Sequence, residues 1–305
     1  MKVTITRLLF IAIILLALSG LISSVLALIL GFLFTLFFNN PYETYSHKAI
    51  QFFLKLSVVG LGFGMFLKET IQTGLEGLEL TFLSIILTVT LGLLLTKGFK
   101  LDRQLGHLIT SGTSICGGSA IAAISPVIKA KGKTISIALA VIFLLNSVAL
   151  FIFPVIGRFF HLNQHDFGLW CAIAIHDTSS VVGAAMNYGD EALKIATTVK
   201  LSRTLWIVPL SVFSMFMFKT KGEKIKIPYF ILLFITAIVI NSFHILPIPV
   251  TGYIVLISKR LLVVTLFIIG TTISLKEIKT TGMKPILLAL SLWLFISLFS
   301  LLYIM

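Results

Sequence analysis

Charge is scarce in this sequence: 11% of its 305 residues are Asp, Glu, Lys or Arg, and the acids number 11 against 24 basic residues. Soluble domains carry about 25% charged residues, so a wetted globular surface is excluded. Cysteine is nearly missing as well. Cys116 and Cys171 both lie inside apolar runs, which rules out the disulfide framework of a small secreted protein and fits buried small hydrophobes. There is no HExxH, no GxSxG and no His/Cys/acid cluster at metal-ligand spacing, so neither a metal nor another cofactor is expected.

What fills the chain instead is hydrocarbon, at 58% of residues, in runs such as LLFIAIILLAL. A bilayer core about 30 Å thick takes roughly 20 helical residues per crossing. Apolar segments run over 8–19, 23–38, 50–67, 77–96, 105–128, 134–157, 168–187, 192–218, 228–244, 252–274 and 283–304. The expectation is an all-α polytopic membrane protein with 9–11 membrane segments. The first run follows Lys2 and Arg7 like the core of a signal peptide, but the next apolar run begins within a few residues, so an uncleaved first helix is expected.

The net charge of +13 could suggest nucleic acid, but its placement argues against that partner. Basic residues bunch between the apolar runs: Lys97, Lys100 and Arg103; Lys129, Lys131 and Lys133; Lys219, Lys221, Lys224 and Lys226; Lys276, Lys279 and Lys284. Acids favour other loops, with Glu69, Glu76, Asp166, Asp190 and Glu191. The positive-inside rule then expects a multi-pass protein of the plasma (inner) membrane, with a cytoplasmic N-terminus and an external C-terminus. A single crossing by 105–128 would put two strongly basic clusters on opposite sides. A re-entrant hairpin turning near SICGG would keep them together, and the same choice between hairpin and crossing broken helix arises for 168–187.

Residues 62–74, GFGMFLKETIQTG, align with 270–282, GTTISLKEIKTTG, at six identical positions without a gap. Inverted repeats of this kind mark secondary transporters whose site lies near the bilayer midplane. The expected organisation is one transmembrane transporter domain over 1–305. Its first half, 8–128, contains the broken segment 105–128; helix 134–157 connects it to a second half, 168–304, containing the broken segment 168–187.

The segment SGTSICGGSAIAA, 111–123, holds three glycines and five hydroxyl or thiol side chains. Gly112, Gly117 and Gly118 allow a helix break and close backbone approach. Ser111, Thr113, Ser114 and Ser119 offer hydroxyls beside Cys116, and the helix restarting at Ala120 presents its N-terminus to an anion. Small-residue helix packing also enriches such residues, but adjacent glycines with four hydroxyls exceed what packing needs. A second polar interruption carries His176 and Asp177 at mid-segment, where ionisable groups are functional by default, followed by Thr178, Ser179 and Ser180. His176 is a candidate proton carrier. Lys200 stands nine residues past Glu191, roughly 14 Å deeper along a helix, and Arg203 three further on shares its face. Two cations at that depth call for an anion. Lys55, Lys259 and Arg260 are weaker candidates nearer helix ends.

The blocks GTSICGGSAIAAISPVIKAK, AIHDTSSVVGAA and YGDEALKIATTVKLSR resemble those of the YeiH-type sulfate exporter family, uncharacterised bacterial inner-membrane proteins grouped with the cation-proton antiporter and anion transporter superfamily. The resemblance spans nearly the whole chain. Where such relatives continue the histidine with a glutamate, this sequence has the shorter Asp177. The resemblance implies transport of sulfate or a related sulfur oxyanion or sulfonate, and helices that break and cross.

Together these readings lead to a secondary transporter of a small anion, not an enzyme, coupled to H⁺ or Na⁺ and working by alternating access in the lipid bilayer. Gly112, Thr113, Ser114, Cys116, Gly117, Gly118, Ser119, Thr178, Ser179, Ser180, Lys200 and Arg203 would hold the substrate, and His176 and Asp177 the coupling ion. Homodimers are expected. The rivals are an anion channel and an intramembrane enzyme using Cys116 with His176 as base.

Overall fold

The computed structural model describes residues 2–38, 40–220, 229–272 and 282–305. Every element in them is helical: α1 (Lys2–Ser19), α2 (Ser24–Phe38), α3 (Glu43–Gly62), α4 (Leu67–Gly98), α5 (Arg103–Ser114), α6 (Gly118–Val127), α7 (Gly132–Phe159), α8 (Gln164–Ala174), α9 (Thr178–Tyr188), α10 (Asp190–Thr204), α11 (Ile207–Phe218), α12 (Tyr229–Ser242), α13 (Ile248–Thr272) and α14 (Met283–Ile304). The protein is an all-α polytopic membrane protein. Among the described residues, α4, α7, the run Asp190–Phe218, α13 and α14 are each long and apolar enough to cross a bilayer. Within the described residues, each apolar segment read from the sequence is found as a helix or a helix pair. The second copy of the 62–74 repeat lies mostly at 273–281, outside the described residues.

The chain divides into two compact units, residues 1–70 with 228–274, and residues 71–227 with 275–305. In the first, α13 packs against α1, α2 and α3. Its crossing with α2 requires glycine on both sides. A β-carbon on Gly31 would stand 2.1 Å from the Phe267 carbonyl oxygen, and one on Gly270 2.3 Å from that of Leu28, so two backbones touch where any side chain would separate them. Phe10, Phe34 and Phe267 cluster around this crossing. Thr271 accepts from Asn40 Nδ2 at 3.0 Å, and its carbonyl accepts from Thr35 at 2.8 Å. Lys55 lies over the Tyr229 ring, 5.8 Å from its centroid, and the Arg260 guanidinium fills the space a side chain at Gly20 would need.

The second unit contains both broken segments, and both are hairpins. The 12-residue α5 and the 10-residue α6 laid end to end would separate their outer ends by roughly 35 Å. Instead, Gln104 Nε2 at the start of α5 donates to the Ile128 carbonyl just past α6 at 2.9 Å. The α8–α9 pair closes the same way, with Tyr188 Oη donating to the Leu162 carbonyl at 2.6 Å and the Phe167 and Tyr188 rings stacked at 3.7 Å.

The hairpins open toward opposite ends of the unit. At one end Arg103 donates to the Met217 carbonyl and Thr220 to that of Val127. At the other, His165 meets Glu76 at 3.1 Å, and the Gln164 side-chain oxygen accepts from the Glu191 amide at 3.0 Å. The first end carries Lys97, Lys100, Arg103, Lys129, Lys131 and Lys133, and the second Glu76, Asp166, Asp190 and Glu191. Crossing between them, α4 presents a stripe of small and hydroxyl residues, Gly77, Thr81, Ser84, Thr88, Gly92 and Thr96. Gly77 faces Val199, and Gly92 faces Thr110. The run Asp190–Phe218 is interrupted at Leu205 and Trp206, just before Pro209, whose ring removes one hydrogen-bond donor from the helix.

Candidate functional site

Each hairpin turns for its own local reason. In the first, Ile115 leaves the helical region and Gly117 adopts φ 62°, ψ −120°, a conformation open to glycine and strongly disfavoured for other residues. The Gly117 amide returns to the Gly112 carbonyl at 2.8 Å, closing α5. In the second, Ile175 and Asp177 are extended, so no glycine is needed. That turn is held from outside by Asn146 on α7, whose Oδ1 accepts from the His176 amide at 3.0 Å and the Asp177 amide at 3.3 Å. Asp177 then caps α9: Oδ2 accepts from the Ser179 amide at 3.0 Å, the Ser180 amide at 3.3 Å and the Ser179 hydroxyl.

The two turns meet. A β-carbon on Gly117 would stand 3.4 Å from both Asp177 Cα and the His176 carbonyl carbon. Four half-helix ends therefore converge: the C-termini of α5 and α8, each with a partial negative charge, and the N-termini of α6 and α9, each with a partial positive one.

Into this junction α10 inserts two fully buried cations. Lys200 Nζ donates to the Ala172 carbonyl at 3.1 Å and the Ile175 carbonyl at 2.7 Å, at the end of α8. Arg203 donates to the Ser114 carbonyl, the last of α5, through Nε at 3.0 Å and Nη2 at 2.5 Å. The pair on one helix face thus serves two different hairpins. No carboxylate lies within ion-pair distance of either cation among the described residues, and Arg203 Nη1 has no hydrogen-bond partner there. Buried cations without counter-ions are costly, and carbonyls at helix ends offset that only in part.

The residues singled out from the sequence are brought together here. Gly112, Thr113, Ser114, Cys116 and Gly117 are buried at the first tip, Gly118 is half-buried and Ser119 exposed. At the second tip His176, Thr178 and Ser180 are buried, while Asp177 and Ser179 are half-buried. The Cys116 thiol lies beside Thr204 and the Ala120 amide, within electrostatic reach of Lys200 and Asp177. It makes no hydrogen bond with His176, whose two ring nitrogens have no partner among the described residues. The hydroxyls of Ser111 and Thr113 are likewise buried without partners.

Asn146 was overlooked in the sequence. Its signal was present: one amide in the middle of ALAVIFLLNSVAL, where a polar group must have a purpose. Lys55, Lys259 and Arg260 belong to the other unit.

These features define a multi-pass membrane protein with two opposed helical hairpins closing on a buried cationic junction. Residues 3–289 match the family described as Conserved hypothetical protein 698. The chain is 50% identical over 297 residues to a UPF0324 membrane protein of Photobacterium profundum, covering 97% of this chain and 91% of that one. A UPF0324 membrane protein of Bacteroides thetaiotaomicron is 48% identical over 280 residues, 91% of this chain and 85% of the relative. One from Shewanella oneidensis is 46% identical over 301 residues, 98% and 95% of the two chains. The chain belongs to this family. The relatives' names describe membrane proteins and specify no substrate. No solved structure matches the chain significantly.

Proposed function

We propose that the protein is a secondary transporter of a small anion, working by alternating access. The observation that carries this reading is the pair of buried cations, Lys200 and Arg203, set among four half-helix ends with no ion-paired carboxylate among the described residues. A site with that surplus of positive potential favours an anion over a cation or a neutral solute. The hairpins opening to opposite ends support an inverted arrangement of two halves, the architecture in which such sites recur.

Sulfate, a related sulfur oxyanion or a sulfonate is the substrate class suggested by the family resemblance. His176 and Asp177, at the tip of the second hairpin, are the groups for a coupling H⁺ or Na⁺. The basic end of the hairpin unit would face the cytoplasm of a plasma (inner) membrane, and the acidic end, toward which α14 directs the C-terminus through the Tyr303–Glu79 contact, would face outside. The N-terminus would lie in the cytoplasm and two copies would pair as a homodimer.

The test is transport by purified protein in proteoliposomes, offered labelled sulfate, sulfite, thiosulfate and sulfonates. Lys200→Met and Arg203→Met variants that elute as folded protein should lose uptake. Uptake at the wild-type rate in both would overturn the reading. Turnover separates the rivals, because a channel passes ions orders of magnitude faster than a rocking carrier, and an enzyme converts its substrate without needing two compartments.

A further inference from the structure

Three of the four half-helix ends at the junction carry a charged cap. Arg203 holds the end of α5, Lys200 the end of α8, and the Asp177 carboxylate the start of α9. The start of α6 has no charged cap, only the uncharged Cys116 thiol beside its Ala120 amide. Its N-cap is Gly117, which has no side chain to offer.

The two tips run in register. Ile115, Cys116, Gly117, Gly118 and Ser119 correspond to Ile175, His176, Asp177, Thr178 and Ser179. A glycine therefore falls where the other hairpin has its carboxylate, and Ser119 falls where the Ser179 hydroxyl donates to that carboxylate. No capping side chain can be added at Gly117. Its φ of 62° disfavours one, and a β-carbon would press within 3.3 Å of Ile142 and 3.4 Å of Asp177 Cα.

A second feature, independent of the helix end, lies at the same place. Asn146 is 2% exposed, and its Oδ1 is held by the His176 and Asp177 amides, on the peptide that Gly117 abuts. Those two donors fix which end of the side-chain amide is oxygen. The Nδ2 end is left buried with no acceptor among the described residues, a state that native structures rarely tolerate without a ligand or water. Ile142, which touches the Gly117 position, lies one turn before Asn146 on α7, so the two share the face of α7 that Gly117 contacts.

We propose that the start of α6 is an anion subsite whose occupant is a small monovalent oxyanion, bound as Asp177 is bound on α9: by the Ser119 amide and hydroxyl, with Asn146 Nδ2 as a further donor. The single charge follows from the junction's own inventory, two cations against one carboxylate among the described residues, which one more negative charge balances. A carboxylate, a sulfonate, nitrate or hydrogen sulfite has that charge and an oxygen able to accept two or three bonds. Doubly charged sulfate exceeds it, and chloride, although it accepts N–H bonds, lacks the separate oxygens that would meet the Ser119 amide and hydroxyl and Asn146 Nδ2 together. This subsite rests on the anion-transport reading and deepens it.

The experiment is thermal unfolding of the purified full-length protein at constant ionic strength, titrated separately with acetate, methanesulfonate, nitrate, hydrogen sulfite, sulfate and chloride. Wild type should be stabilised by at least one of the four monovalent oxyanions at lower concentration than by sulfate or chloride. Ser119→Ala should weaken that effect about tenfold, the loss of one hydrogen bond to a charged group, while Ser119→Thr retains it. Ser119→Asp should abolish it by placing a carboxylate in the first turn of α6. Ser119 is exposed, so these changes leave the packing intact, and the Ala and Thr variants decide the matter if the Asp variant fails to fold.

Equal stabilisation of wild type and Ser119→Ala would overturn the subsite while leaving anion transport standing. Stabilisation by sulfate ahead of every monovalent oxyanion would overturn the charge assignment. Stabilisation by none of the anions would overturn both the subsite and the transport reading.

Discussion

Arg203→Met is the most informative single perturbation of the junction. Arg203 is fully buried and donates twice to the Ser114 carbonyl that ends α5. Methionine keeps much of the side-chain volume but donates nothing, so the terminal carbonyl of a half-helix is left unpaired inside the protein. An unsatisfied buried acceptor costs about 1–3 kcal/mol, and a hydrogen bond to a charged donor contributes about 1.5–3 kcal/mol. Removing a buried cation that lacks an ion-pair partner returns part of this, which leaves a net loss of about 2–4 kcal/mol. At about 2 °C per kcal/mol for a chain of this size, the melting temperature of detergent-solubilised protein should fall by about 4–8 °C. Arg203→Lys keeps the charge but offers a point donor in place of the guanidinium fork, and should fall about half as far. A melting temperature for Arg203→Met within about 1 °C of wild type would refute the capping argument, whatever happened to transport.

Other expectations follow from the same contacts. Gly117→Ala, forced into a left-handed conformation and pressed between Ile142 and Asp177, should destabilise by about 1–3 kcal/mol in the same melting assay. Asn146→Leu removes the acceptor shared by the His176 and Asp177 amides, so hydrogen exchange at those two amides should rise at least tenfold while the helix cores keep their protection. In a background with Cys116 and Cys171 changed to Ala, Lys100→Cys and Lys131→Cys should react with a membrane-impermeant thiol reagent from one side of the bilayer. Glu76→Cys and Glu191→Cys should react only from the other; labelling of Lys100→Cys and Lys131→Cys from opposite sides would rule out the first hairpin. Gly270→Val, whose β-carbon would lie 2.3 Å from the Leu28 carbonyl oxygen, should separate α2 from α13 and abolish accumulation of folded protein, measured by monodisperse elution in detergent.

Much of this was legible because membranes leave little choice. Apolar runs of spanning length had to be helices, and two adjacent glycines inside one of them had to mark a break. Charge alone speaks for a hairpin at 105–128, since a crossing puts Lys97 to Arg103 and Lys129 to Lys133 on opposite sides, and it leaves 168–187 open. The Gln104–Ile128 contact brings the outer ends of α5 and α6 together, unlike the crossing helices implied by the family resemblance. The partners of Lys200 and Arg203 were not legible, because they are main-chain carbonyls, and a carbonyl has no letter in a sequence. The spacing of three residues implies one shared helix face. In the folded chain it sets the distance between two helix ends belonging to different hairpins. The break at Leu205 and Trp206 went unread although Pro209 stood three residues beyond it, since a proline near the first turn of a helix is easily taken as interior to a longer one.

The sharing of α10 between the hairpins restricts how the junction can move. Lys200 and Arg203 are less than one helical turn apart on a stiff rod, and each is tied to a different tip. Withdrawing one tip alone would strip a buried charge of its carbonyl partners while the other stayed satisfied. The two tips and α10 therefore form a three-way splice, and any motion that exposes the junction first to one side and then to the other has to carry all three as a single body, with sliding confined to surfaces that have no such ties.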